Sequence, residues 1–231
     1  DVSSHYLPHA VNTNDFKKLN STDERPARLR EQIYSHADED LLNKDKKIFF
    51  WNNRNARRKQ PGTLIWWFKE WLDKVGHDKA CLLMHTDAED PHGQPLPHLI
   101  EHLGMHRGQV MLSTNKVTSE ELGTFYNTAD FTINIADAEG FGLGTLESLS
   151  CGTPIIVNMT GGLQEQVTKA LKLSKPKYKA MSEAGMKHVK ENYSFENYEK
   201  GWVDLMDGFV EKHGSWETRK GYQRYHLVEV A

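Results

Sequence analysis

The segment that most constrains this chain is a glycine-rich turn set between a strand-like run and a helix-like run. The apolar stretch Phe131-Thr-Ile-Asn-Ile-Ala136 comes first, then Asp137-Ala-Glu-Gly-Phe-Gly-Leu-Gly144, then Gly144-Thr-Leu-Glu-Ser-Leu-Ser-Cys151. A strand that enters a helix through such a turn aims backbone N–H groups outward from the helix N-terminus, and that arrangement suits a phosphate. Gly140, Gly142 and Gly144 let the backbone approach a ligand closely. The helix dipole adds roughly half a positive charge there. Two carboxylates, Glu139 and Glu147, flank the turn with seven residues between them, and each can accept hydrogen bonds from hydroxyls. Hydroxyl, phosphate and hydroxyl in that order describe a sugar nucleotide. A short glycine pattern alone also fits a tight structural turn, and a single Glu beside a helix start also fits a capping group or an exposed carboxylate.

The rest of the chain repeats the alternation. Ile48–Asn53 reads as a strand, Thr63–Val75 has helical spacing, and Ala80–Met84 reads as a buried strand. Leu96–Leu103 reads as a short helix and Val110–Leu112 as a strand. Thr118 or Ser119 followed by Glu121 reads as a capped helix running to about Ala129. After Phe131–Ala136, the turn and its helix come a strand at Pro154–Asn158 and two helices, about Pro176–Asn192 and Phe195–His213. Strands alternating with helices imply an α/β fold, a Rossmann-like doubly wound parallel sheet with right-handed crossovers and C-terminal helices. The expected division is a leading segment with a polar, partly helical excursion at 1–47, a nucleotide-sugar-binding core at 48–167, and helices and tail at 168–231.

Position supports a single site. Arg54 and Lys59 follow one strand, Glu139–Gly144 follow another, and Gly161-Gly162 follow a third. Open parallel sheets bind ligands outside the carboxyl ends of their strands, so all three clusters share the binding edge. Arg54 and Lys59 would clamp a diphosphate, although Arg57 and Arg58 lie between them and a solvated basic loop is the competing reading.

Composition narrows the classes. The chain has 231 residues and a formal charge of −3, so no basic field argues for nucleic acid. No uninterrupted apolar run is long enough for a transmembrane helix, and no signal peptide is visible. The only cysteines, Cys81 and Cys151, sit in apolar contexts, which fits a reducing, cytoplasmic setting better than a disulfide framework. The chain opens at Asp1, which is expected not to be a native start. His98 and His102 have metal-pair spacing but no completing ligands, and surface polarity is the expected role. The tryptophans read as core, with Trp67 and Trp71 as partners on one apolar helix face. Trp216 could serve as a carbohydrate platform.

Glu139-Gly-Phe141-Gly-Leu143-(three residues)-Glu147, Ser150-Cys-Gly-Thr-Pro-Ile-Ile156 and Gly161-Gly162-(two residues)-Glu165 together resemble the donor-site signature of retaining glycosyltransferases of the GT-B fold, group 1 type. Leu7-Pro-His-Ala-Val-Asn12 followed by Phe16 resembles that family's lead-in to its C-terminal domain, and Arg54 and Lys59 match its Arg and Lys pair. The resemblance implies a nucleoside-diphosphate sugar (UDP-, GDP- or ADP-linked) as donor, an unspecified acceptor, no cofactor and no metal. It places Glu147 on the ribose hydroxyls, Glu139 at the transferred sugar, and Gly140, Phe141, Gly142 and Leu143 at the donor phosphates. Asn115, Lys116 and Val117 would line the base pocket. Two departures stand out. The acceptor-binding N-terminal domain of that architecture has no counterpart here. After Gly162-Leu-Gln-Glu-Gln-Val167 the chain runs straight into Lys169–Lys175, where the family has a loop and an extended segment. A non-catalytic nucleotide-sugar binding module, a sugar-nucleotide epimerase and a phosphorylase are the rival readings.

Overall fold

The structure, a computed structural model, describes residues 5–161 and 178–215. Among these, five parallel strands form one sheet: β1 (Lys47–Asn52), β2 (Ala80–His85), β3 (Val110–Ser113), β4 (Phe131–Asn134) and β5 (Ile155–Val157). Their order across the sheet is β3-β2-β1-β4-β5. The chain therefore winds outward from β1 to one edge, then returns to β1 and winds toward the other. Between β1 and β4 the winding reverses, and there the crevice of a doubly wound sheet opens.

Helices cover both faces, so the strands are apolar on both sides. On one face α2 (Pro61–Val75) and α3 (Leu96–His102) bury Leu64, Ile65, Phe68, Leu72, Leu96 and Ile100 against Trp51, Leu82 and Met84. On the other, α1 (Arg25–Ser35), α4 (Ser119–Thr128), α5 (Leu143–Ser150) and α6 (Tyr178–Asn192) close over Ile48, Phe50, Cys81 and Leu83. A last helix, α7 (Phe195–His213), follows. The α4 start is a capping box in which Thr118 accepts from the Glu121 N–H and Glu121 accepts from the Thr118 N–H, as the spacing predicts. The excursion before β1 is indeed partly helical: α1 lies on α4, and Arg30 donates to the Thr128 carbonyl at 2.5 Å. The leading segment is stitched in by Val11 N–H to the Tyr193 carbonyl at 2.9 Å and by Phe16, buried against Tyr126.

Two expectations need correction. Of the described tryptophans, Trp51 alone lies in the core. Trp66, Trp67 and Trp71 are 51, 55 and 39% exposed and Trp202 on α7 is 44% exposed, whereas Trp51 is fully buried. The α2 sequence offers overlapping apolar stripes, and the sheet takes the one through Leu64, Ile65, Phe68 and Leu72; Trp71 rests only on Phe49 and Phe68 at its margin. The β4 ladder also ends at Asn134 rather than Ala136, because the Asn134 side chain accepts from the Ala136 N–H at 3.2 Å and turns the chain. Cys81 and Cys151 are free, and burial pushes both thiols up to about 12. Among the described residues no helix is long and apolar enough to cross a membrane.

Candidate functional site

Three loops meet at the carboxyl edge over β1 and β4. The first, 53–60, leaves β1. Its left flank is fixed by Asn55, buried and bonded to the carbonyls of Ala88 and Gln94 at 3.3 and 2.8 Å. Its right end is a single 3₁₀ turn, Arg57–Lys59, followed by Gln60 at φ 55°, the only non-glycine residue at positive φ among those described. That conformation costs of order 1 kcal/mol. It is held by Thr63, whose hydroxyl donates to Gln60 Oε1 at 2.7 Å, and by the Gln60 amide donating to Asp137.

The second loop, 135–142, leaves β4 and is sewn to the first. The Asp137 N–H donates to the Arg58 carbonyl at 2.9 Å, and Arg58 Nη1 donates to the Ala138 carbonyl at 2.8 Å. At the centre Lys59 Nζ and Glu139 Oε2 form an ion pair, with side chains only 7 and 11% exposed. The loop ends at Gly142, the N-cap of α5, which has a left-handed φ of 82° and makes no side-chain cap hydrogen bond. The third loop, after β5, closes on the second. Thr160 donates to the Asp137 carbonyl at 2.8 Å, and Gly161 at φ 51° lies so close that a Cβ there would sit 1.9 Å from the Glu139 carbonyl oxygen. Only glycine fits at that position.

The structure thus separates the basic residues that the sequence left ambiguous. Lys59 is buried against Glu139. Arg54 is on the opposite flank, 64% exposed, with its Nε 2.6 Å from Asp90 Oδ2, and its guanidinium holds the Asp90 carboxyl down at about 2. Arg57 is exposed and Arg58 supports the second loop. Gly140 is exposed, with open space where a Cβ would be. Phe141 is packed between the His9 and Tyr193 rings at 5.0 and 5.9 Å and anchors the turn. Leu143 is exposed at the first position of α5. Asn115, Lys116 and Val117 follow β3 at the same edge, the first two exposed. Gly162, Glu165, the Val167 junction and Trp216 lie outside the described residues. His98 and His102 are exposed, and among the described residues no group of three or more His, Cys, Asp or Glu side chains is placed to hold a metal ion.

Glu147 is on α5, one turn in, and is mostly buried. Tyr126, fully buried on α4, donates its phenol to Glu147 Oε2 at 2.7 Å and accepts from Asn52 Nδ2 at 3.0 Å. Burial pushes the Glu147 carboxyl up, and the Tyr126 bond opposes that only in part. The Tyr126 phenol is itself pushed well up, first by burial and then by the neighbouring carboxylate. Sequence reading passed over Tyr126, Asn52, Gln60 and Asp137. Tyr126 and Gln60 carry no local signal, Asp137 opens the glycine-rich turn without a role read for it, and only the polar end of β1 hinted at Asn52.

A second hollow, of about 520 Å³, lies between the leading segment and α7 and is lined by His5, Tyr6, Leu7, Phe209, Asp204 and Lys212 among others. Its lining shares no residue with the three loops, and its one lysine is balanced by an aspartate.

A sequence profile of the family described as "Glycosyl transferases group 1" matches residues 35–200. A D-inositol 3-phosphate glycosyltransferase of Corynebacterium jeikeium is 31% identical over 120 residues, which are 51% of this chain and 28% of that protein. Sucrose-phosphate synthase from Thermosynechococcus elongatus superposes with a TM-score of 0.68 at 19% identity, over 89% of this chain and 52% of that one. Anabaena HepE in complex with UDP and glucose superposes with a TM-score of 0.65 at 13% identity, over 86% of this chain and 55% of that one. The chain therefore spans about half the length of these solved relatives and less of the curated one.

Proposed function

The chain belongs to the group 1 glycosyl transferases, and on that footing we propose that it is the donor-binding, C-terminal part of a retaining enzyme that transfers a sugar from a nucleoside-diphosphate sugar without a divalent metal. The observation that carries this reading is the buried Lys59–Glu139 pair, formed between the loops after β1 and β4 where the winding reverses, with Glu139 three residues before Gly142, the N-cap of α5. A cation and a helix N-terminus converging on one crevice suit the two negative charges of a diphosphate. Lys59 then exchanges its partner: Nζ moves from Glu139 to the diphosphate, and the released Glu139 accepts hydroxyls of the sugar. Glu147 takes the ribose hydroxyls. Arg54 joins the clamp only on leaving Asp90. Asn115, Lys116 and Val117, in the loop after β3, would line the base, and the UDP bound to HepE is in keeping with such a donor.

In the reaction, the bond from the anomeric carbon to the diphosphate oxygen breaks and leaves its electron pair on that oxygen. Lys59 and the α5 N–H groups face the growing charge, so they stabilise departure more than the bound ground state. The acceptor oxygen bonds to the oxocarbenium-like carbon on the same face, and its proton passes to the departing phosphate oxygen, which accounts for retention. The acceptor site belongs to a partner domain. Calorimetry with UDP, GDP and ADP, with and without EDTA, tests the reading. At least one diphosphate should bind equally in both conditions; binding to none, or binding abolished by EDTA, would contradict it.

A further inference from the structure

Glu147 has the features of an acceptor whose aim is set by another residue. Its Oε2 is occupied by the Tyr126 phenol at 2.7 Å, and the phenol oxygen is in turn held by Asn52 Nδ2 at 3.0 Å. Asn52 ends β1 and lies half-buried beside the crevice, so the relay runs from the sheet edge through the core to α5. Tyr126 is firmly packed. The Tyr126 ring lies edge-on to Phe50 and Phe16 at 5.1 and 6.0 Å, and its backbone carbonyl accepts from the Thr153 hydroxyl at 2.6 Å. The first turn of α5 lies directly on the relay: a Cβ on Gly144 would sit 3.3 Å from the Tyr126 oxygen and 3.6 Å from the Asn52 carbonyl. Gly144 therefore lets α5 settle onto the phenol as well as exposing backbone to a ligand.

A carboxylate with one oxygen tied to a fixed phenol cannot rotate freely, and its other oxygen points in one direction. We propose that Asn52 and Tyr126 are positioning residues that aim Glu147 at the 2′- and 3′-hydroxyls of the nucleotide and thereby set selectivity for ribo- over 2′-deoxyribonucleoside diphosphates. This rests on the donor-site reading above. A site built to bond a hydroxyl rejects the analogue that lacks it, because its buried acceptor is then left unpaired. That rejection holds only while the acceptor stays aimed; a carboxylate free to turn finds water instead.

The test is calorimetry on the full 231-residue chain with whichever of UDP, GDP and ADP binds, each paired with its 2′-deoxy form, and with thermal unfolding as a check of folding. The unaltered chain should prefer the ribonucleotide by about tenfold. Tyr126→Phe should weaken ribonucleotide binding about fivefold and leave the deoxy form within a factor of about two, so that the preference collapses. Asn52→Ala should reduce the preference in the same direction by less, and it carries the test if Tyr126→Phe does not fold. Glu147→Gln separates the outcomes. If it abolishes the preference while the Tyr126 and Asn52 variants leave it intact, the relay is merely structural and the inference falls although the donor site stands. If the unaltered chain shows no preference, or binds no diphosphate, the ribose role of Glu147 or the donor-site reading itself fails, and the inference falls with it.

Discussion

The two walls of the crevice are built in opposite ways. On one wall Lys59 and Glu139 come from loops 80 residues apart and satisfy each other. On the other, Glu147 Oε2 is held by the Tyr126 phenol, which is itself held by Asn52. On the proposed donor-site reading, the first wall is closed on itself and opens for a ligand, whereas the second is already arranged. On that reading one fold supplies both a charge masked until a competing anion arrives and an acceptor that does not have to move. Burying two charges as a pair also avoids leaving either alone in a poorly hydrated place.

The largest effect should follow from Lys59→Ala. It removes the cation and strands Glu139, so free diphosphate binding should fall by roughly 10- to 100-fold, a charge-assisted contact being worth about 1.5–3 kcal/mol. Binding of the nucleoside alone should be nearly unchanged. Equal loss for both ligands in calorimetry would take Lys59 away from the phosphates. Glu139→Gln should act with the opposite sign. With its partner neutral, Lys59 is freer to meet the diphosphate, so free nucleoside diphosphate should bind about fivefold tighter, while turnover in an enzyme with its acceptor domain falls. Weaker diphosphate binding in this variant would break the contrast between the walls.

Glu147→Gln probes the second wall and couples affinity to stability. Diphosphate binding should weaken about fivefold, as for loss of one good hydrogen bond. Because burial raises the carboxyl in the folded chain above its unfolded value, folding favours the protonated form. The stability contributed by this group is therefore full below the ordinary Glu range and is lost as pH rises through the raised value. The variant should unfold at a higher temperature than the parent at pH 7 and lose that advantage on acidification. An unchanged melting difference across that range would show that the buried charge is not costly. Arg54→Ala should have the smallest effect: the Arg54 side chain is mostly exposed and already engaged by Asp90, so diphosphate affinity should change by less than about twofold. A loss comparable to that of Lys59→Ala would show that Arg54 leaves Asp90 to join the clamp.

The sequence carried whatever is written in local runs. Thr118 and Glu121 announce the α4 cap, Phe195–His213 is bounded by a Ser194 cap and a glycine, and the glycine turn before α5 is recognisable from composition alone. The convergence of three loops also followed, since it depends only on strand order. What it could not carry are pairings decided by tertiary geometry. Tyr126 reads as one more aromatic on an amphipathic helix, and nothing local says that its hydroxyl meets a carboxylate 21 residues later. Arg54 and Lys59 look equivalent five residues apart, yet in the folded loop one meets Asp90 and the other Glu139, with Asn55 between them tied to the Gln94 segment. On α2, Trp67 and Trp71 mark a plausible buried stripe, but the sheet selects the neighbouring one.

The most direct test of the central claim is a crystal structure of the chain with its nucleoside diphosphate bound, read at the Lys59 ammonium. The account predicts Nζ within hydrogen-bond distance of a phosphate oxygen, the phosphate against the N–H groups that begin α5, and the Glu139 carboxylate free of Lys59. A bound diphosphate with the Lys59–Glu139 pair intact would contradict it.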